Sequence, residues 1–261
     1  MTLLSHIVTE RIVKPPRVFL YGIEGIGKTT FAASAPAPII LQTEDGADML
    51  DVPRFPVAES LDTVFEELDA LIAEDHPYQT LAVDSVDWLE KLVFDRVCSD
   101  YRVKNVQQAA GGYGRGYDAA MQYWQQIRSR LATLRDKRGM AILLLAHHQI
   151  KAVGDPEYPE YQQYQPRLQD KAMHMLSEWV DAVLFATRKM RVDEDGKAHP
   201  TGADGGERIL RCIGSPTCIA KSRYALPAEI PLNWDAFMAE FNAAVRANRI
   251  NPDVPAESSI R

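Results

Sequence analysis

The stretch YGIEGIGKTT, Tyr21 to Thr30, carries the spacing G-x-x-x-x-G-K-[ST], with Gly22, Gly27, Lys28 and Thr29 in the fixed places. Glycines at these positions let a backbone curl around phosphate groups without Cβ clashes. Gly22, Ile23, Glu24, Gly25, Ile26 and Gly27, followed by Lys28, Thr29 and Thr30, are therefore the candidate cradle for a nucleoside triphosphate. The Lys28 ammonium would meet the outer phosphates, and the Thr29 hydroxyl would hold a magnesium ion.

Two further groups suit the same chemistry. Asp84 ends the apolar run TLAVD, where an acid at the carboxyl end of a buried strand can hold the metal through water. The alternative is a cap, because Ser85 and Asp87 precede a helical pattern. Hydrolysis needs a base for water, and QTEDG places Glu44 or Asp45 at the end of another strand. Position alone does not separate these two from each other or from a turn.

Several elements must position these groups. The runs 17–21, 39–43, 80–84, 140–148, 180–188 and 208–213 read as buried strands. Between them, apolar residues recur at helical spacing: Leu61 to Ile72, Val86 to Val97, and Met121 to Leu134. Strands alternating with helices predict an α/β fold with a mainly parallel sheet covered on both faces. Trp88, Trp124, Trp179 and Trp234 fall on apolar helical faces and are expected in the core. Residues 193–207 read as a polar hairpin tip, and 233–249 as an amphipathic helix capped by Asn233, followed by a polar tail. The expected division is an N-terminal segment 1–14 suited to a subunit contact, an ATPase domain 15–230, and a C-terminal helix and tail 231–261.

Composition narrows the class. The chain has 261 residues, 46% of them hydrophobic, and a net charge of -7, so any contact with nucleic acid must be local. Three cysteines without a C-x-x-C pair argue against a zinc site or a disulfide framework. His6, His76, His174 and His199 have no partners at metal spacing. No run reaches the length of a membrane span and the first residues lack a signal-peptide core, so a cytoplasmic location is expected, that of the host if the chain is phage-encoded.

The set YGIEGIGKTT, ILQTEDG, GGYGRGYDAA, HHQIK and EWVDAVLFA resembles phage-encoded RecA-like nucleotide-binding proteins, some of which are core-only, single-strand annealing ATPases. The resemblance covers roughly residues 15 to 228 and implies a RecA-like P-loop core using ATP and Mg2+. It makes Glu44 the catalytic acid. It makes Gln149, with His148 as rival, the sensor of the terminal phosphate. In AKSRY, Lys221 and Arg223 resemble the basic pair that reaches a neighbour's nucleotide in RecA-like hexameric helicases, which implies a homo-oligomer, ring or filament.

Two segments are candidate contacts for single-stranded DNA. In 105–117, four glycines surround Tyr113 and Arg115, which can stack on bases or meet phosphates. In 151–171, Tyr158, Tyr161 and Tyr164 recur every three residues, as an extended three-per-turn strand would align them, with Lys151, Arg167 and Lys171 around them. The plainer reading makes both segments connections. The expected function is ATP-dependent assembly on single-stranded DNA for annealing or strand pairing. The alternatives are a switch or loader ATPase acting with a helicase or single-strand-binding protein, and a small-molecule kinase, against which the arginine-poor 151–171 counts.

Overall fold

The structure is a computed structural model that describes residue 7 and residues 12–157, 159–202 and 206–247. In chain order the elements are β1 (Arg17–Gly22), α1 (Lys28–Ala33), β2 (Pro38–Gln42), α2 (Leu61–Ala73), β3 (Thr80–Asp84) and α3 (Val86–Tyr101). A 3-10 turn at Val106–Gly111 leads to α4 (Arg115–Arg138), β4 (Ala141–Val153), β5 (Tyr161–Pro166), α5 (Asp170–Trp179) and β6 (Ala182–Arg188). Then come β7 (Met190–Val192), β8 (Ala198–Pro200), β9 (Arg208–Arg211), β10 (Lys221–Ser222), β11 (Glu229–Pro231) and α6 (Trp234–Arg246).

The main sheet runs β11-β9-β6-β1-β4-β3-β2, parallel from β6 to β2 and antiparallel at β9 and β11. The expected α/β architecture is therefore present. Because β4 lies between β1 and β3, the ends of three strands, Gly22, His147 and Asp84, fall on one edge. Parallel strands covered on both faces need apolar residues at every position, and β1 is buried almost throughout. Phe19 and Tyr21 enter the core under α2, α3, α4 and α5, whereas Val18 and Leu20 enter the core on the side of α1 and α6. The Asn233 side chain caps α6 by accepting from the Ala236 N–H, as its sequence suggests. Trp234 and Phe237 then pack edge-on against Phe31 of α1, which binds α6 into the same core.

Two expectations change. Residues 151–171 do not form a long loop: β4 runs on past the sheet and pairs antiparallel with β5, from His148↔Pro166 to Val153↔Tyr161. Sequence patterning missed this arm because QQYQ gives no apolar alternation. Trp88 is not a core residue; it is exposed, with the Lys91 ammonium 3.0 Å from the centre of its ring. The last residues of the expected C-terminal helix, and the tail, lie outside the described residues, as does most of segment 1–14.

Candidate nucleotide site and the surfaces around it

The loop from Gly22 to Gly27 owes its path to two glycines. A Cβ at Gly22 would lie 2.3 Å from the Ala186 carbonyl oxygen, so only glycine lets β1 run this close to β6. Gly27 has φ +106° at the start of α1, a conformation that side chains disfavour. The Lys28 ammonium folds back into this loop and donates to the carbonyls of Gly22 (3.3 Å) and Ile23 (3.2 Å). Burial pushes its pKa down, while the charges of Asp84, Asp87, Glu44 and Glu24 hold it up. Ile23 thus contributes its backbone, Glu24 is exposed, and the Ile26 side chain is buried in the core.

A cleft of about 440 Å³ opens beside the loop, lined by Gly25, Gly27, Lys28, Thr29 and Thr30, by Glu44, Asp45 and Asp84, and by Met49, His147 and Arg208. The proposed metal pair comes together here: the Thr29 hydroxyl donates to Asp84 Oδ2 at 2.7 Å. Burial raises the Asp84 pKa against the hydrogen bond from Thr29. A divalent cation between these oxygens would favour the ionised form, so the donor set fits magnesium.

Glu44 and Asp45 separate by their surroundings. Glu44 is half-buried and accepts a hydrogen bond from the hydroxyl of Ser85, the residue after Asp84; burial raises its pKa. Asp45 is exposed. Ser85 is fixed in turn, its N–H donating to Thr43 Oγ1 at 2.9 Å and its carbonyl accepting from that hydroxyl at 2.6 Å. A carboxylate held this way and facing the cleft suits a base better than a free turn residue does.

The sensor expectation is corrected. In β4 it is His147, paired in register with Gly22, that faces the cleft. His148, one residue on, points to the other side of the pleat, where its ring tilts against Tyr164 at 5.5 Å. Gln149 uses its amide to donate to the carbonyls of Pro166 (2.8 Å) and Leu168 (3.2 Å), which closes the base of the β4–β5 arm. The sequence offered three adjacent polar residues, and only the strand register distinguishes them. Arg208 of β9 was also missed: it reaches the loop across the chain and donates to the Ile26 carbonyl at 3.4 Å. No local motif marks it.

Of the candidate DNA-binding residues, Lys171 of α5 lies beside the start of α4, where it pairs with Asp118 of the first turn. Tyr113 is fully exposed there, with φ +55° in the left-handed region, and Arg115 begins α4. Other members are engaged elsewhere. Lys151 pairs with Asp170, and Arg167 donates to Asp87 Oδ2 through Nη2 at 2.6 Å and Nε at 3.0 Å. Tyr164 stacks on Phe185 at 5.0 Å, and its carbonyl accepts from the Tyr21 hydroxyl. The strand conformation also replaces the three-per-turn alignment, so Tyr161 and Tyr164 do not share a face. Tyr158 lies outside the described residues.

Lys221 and Arg223 lie at the other end of the sheet. Lys221 pairs with Val183, whereas the phosphate loop starts level with Ala186, about 10 Å further along β6. Arg223 donates to the Glu178 carbonyl at 3.0 Å and stands 3.8 Å from Asp181. Asp181 is buried and is also bonded to Arg17 (2.7 Å) and Arg135 (3.1 Å).

A phosphate loop after β1, an aspartate bonded to its threonine at the end of β3 and an acid at the sheet edge are the arrangement of a P-loop nucleoside triphosphatase. The chain matches the family model described as an AAA domain over residues 14–224 and belongs to that family. It is also similar to the SPbeta prophage-derived uncharacterized protein YorG of Bacillus subtilis (strain 168), with 23% identity over 192 residues. That alignment covers 71% of this chain and 54% of the relative, so the chain spans about half the length of the curated relative it matches. Among the described residues no helix is long and apolar enough to cross a membrane.

Proposed function

We propose that the chain is an ATP- and Mg2+-dependent ATPase of RecA-like type that assembles as a homo-oligomer on single-stranded DNA and promotes annealing or strand pairing. The observation that carries the ATPase part is the convergence of Lys28, the Thr29–Asp84 pair and the Ser85-held Glu44 in one cleft. Thr29 Oγ1 and, through water, Asp84 would hold the metal, Glu44 would take the proton of the attacking water, and His147 lines the same cleft, facing the space a terminal phosphate would enter. The likeness to a prophage-derived protein supports a phage setting. Tyr113 and Arg115, next to α5, supply an exposed ring and a cation for a single strand.

A second reading has its own observation. Lys151, Lys171 and Arg167 are already paired with carboxylates, which favours a switch or loader that meets a protein partner, such as a single-strand-binding protein, more than the strand itself. An ATPase assay with and without single-stranded DNA separates the two. Several-fold stimulation supports strand assembly; turnover indifferent to DNA supports the loader; no turnover in either condition removes the ATPase reading. Lys221 and Arg223, at the end away from their own cleft, suit a role on a neighbour's nucleotide. Arg223→Ala should then bind ATP and lose turnover, and mixing it with Lys28→Ala protein should restore part of the activity.

A further inference from the structure

Asp87 lies outside the P-loop, the metal pair and the base, yet it is the most heavily bonded acid at the nucleotide edge. Its side chain is 2% exposed. Oδ1 accepts the backbone N–H of His147 at 3.0 Å, and Oδ2 lies 3.0 Å from Nδ1 of the same ring. Arg167 donates to Oδ2 through two nitrogens. Burial opposes the charge on Asp87, but the bonds from His147 and Arg167 outweigh it and hold the carboxyl well below the usual carboxylate range.

An ionised carboxylate only accepts, so Nδ1 of His147 must carry the proton. The guanidinium approaches Nδ1 to 3.1 Å because both groups point at the same oxygen, not because they bond to each other. With Nδ1 committed and the backbone N–H pinned, the ring cannot rotate. Nε2 is then the nitrogen left for a ligand in the cleft that His147 shares with Lys28, Asp84 and Glu44; protonated there, it donates to a phosphate oxygen. Nδ1 also stands 3.8 Å from Glu44, so a turned ring would disturb the base as well.

From this geometry we propose that Asp87 is a positioning residue for nucleotide hydrolysis, acting through His147, with Arg167 as the second anchor of its carboxylate. The proposal rests on the ATPase reading. Three residues after Asp84, it gives the short segment DSVD three duties: Asp84 for the metal, Ser85 for the base and Asp87 for the ring.

The test is a double-mutant cycle between Asp87→Asn and His147→Gln, read as kcat and KM for ATP and as the affinity for a fluorescent ATP analogue. Asp87→Asn alone should lower kcat by about tenfold or more, with analogue affinity changed less than about twofold. In the His147→Gln background the same substitution should cost little further. Equal losses in both backgrounds, or no loss in the first, overturn the proposal. A measurement on the unaltered protein covers the case in which Asp87→Asn fails to fold. 15N shifts of the neutral His147 ring, assigned by loss of the signal in His147→Gln, should show the Nδ1–H tautomer, and an Nε2–H tautomer overturns the proposal. A wild-type protein without turnover sinks the ATPase reading and the role in hydrolysis with it, while the tautomer still reports whether Asp87 sets the ring.

Discussion

The two ends of the central sheet are opposites in charge. At the carboxyl edge the buried cation Lys28 feels four carboxylates, Asp84, Asp87, Glu44 and Glu24, with Arg208 also lining the cleft. At the amino edge one buried carboxylate, Asp181, is ringed by Arg17, Arg135 and Arg223. The first end carries more carboxylates than cations, and a divalent cation bound there would offset part of that charge. The second end has positive charge to spare.

The comparison can be broken at either end. The largest effect is expected from Glu44→Gln, which should bind nucleotide and lose about 10²- to 10⁴-fold in turnover, because the amide cannot take a proton from water. If Glu44→Gln hydrolyses ATP normally and Asp45→Asn does not, the base is the neighbouring residue. At the opposite end, Asp181→Ala strands two nearly buried arginines and should cost about 3–5 kcal/mol of stability in a urea titration. A loss under about 1 kcal/mol would mean that water already satisfies that cluster.

A smaller effect should follow Lys28→Ala. Removing the charged donor should weaken ATP binding by about 2 kcal/mol, roughly thirtyfold, in an isothermal titration. The smallest is Lys171→Ala at the exposed Asp118 pair, whose side chains are about half exposed. It should change the unfolding free energy by less than about 1 kcal/mol. A larger change would show that this pair, rather than packing, holds α5 to α4.

Much of the carboxyl edge was legible in the sequence, because its groups sit at the ends of strands whose apolar runs announce themselves. Gly22 follows RVFLY, Asp84 follows TLAV, and Glu44 follows IILQT directly. What stayed hidden depends on register and on long-range contact. His147, His148 and Gln149 are alike as residue types for this task, and a one-residue step in the pleat decides which one sees the cleft. Arg208 lies 180 positions beyond Lys28 and joins the site only because β9 folds back beside β6. The amino edge was half legible: Lys221 and Arg223 were visible as a basic pair, but the Asp181 hub that organises their surroundings comes from tertiary packing. The tyrosine series misled because a period of three suits an extended three-per-turn chain, whereas pairing with β4 imposes a period of two.

The buried Tyr21 hydroxyl, in the strand that leads into the phosphate loop, donates toward two carbonyls, of Tyr164 at 3.0 Å and of Ile219 at 2.6 Å. That single oxygen rivets the root of the β4–β5 arm and the segment leading to Lys221 onto the middle of the sheet. An arm riveted at its root cannot swing as a rigid flap. The root should surrender its amide protons to solvent no sooner than the central strands do.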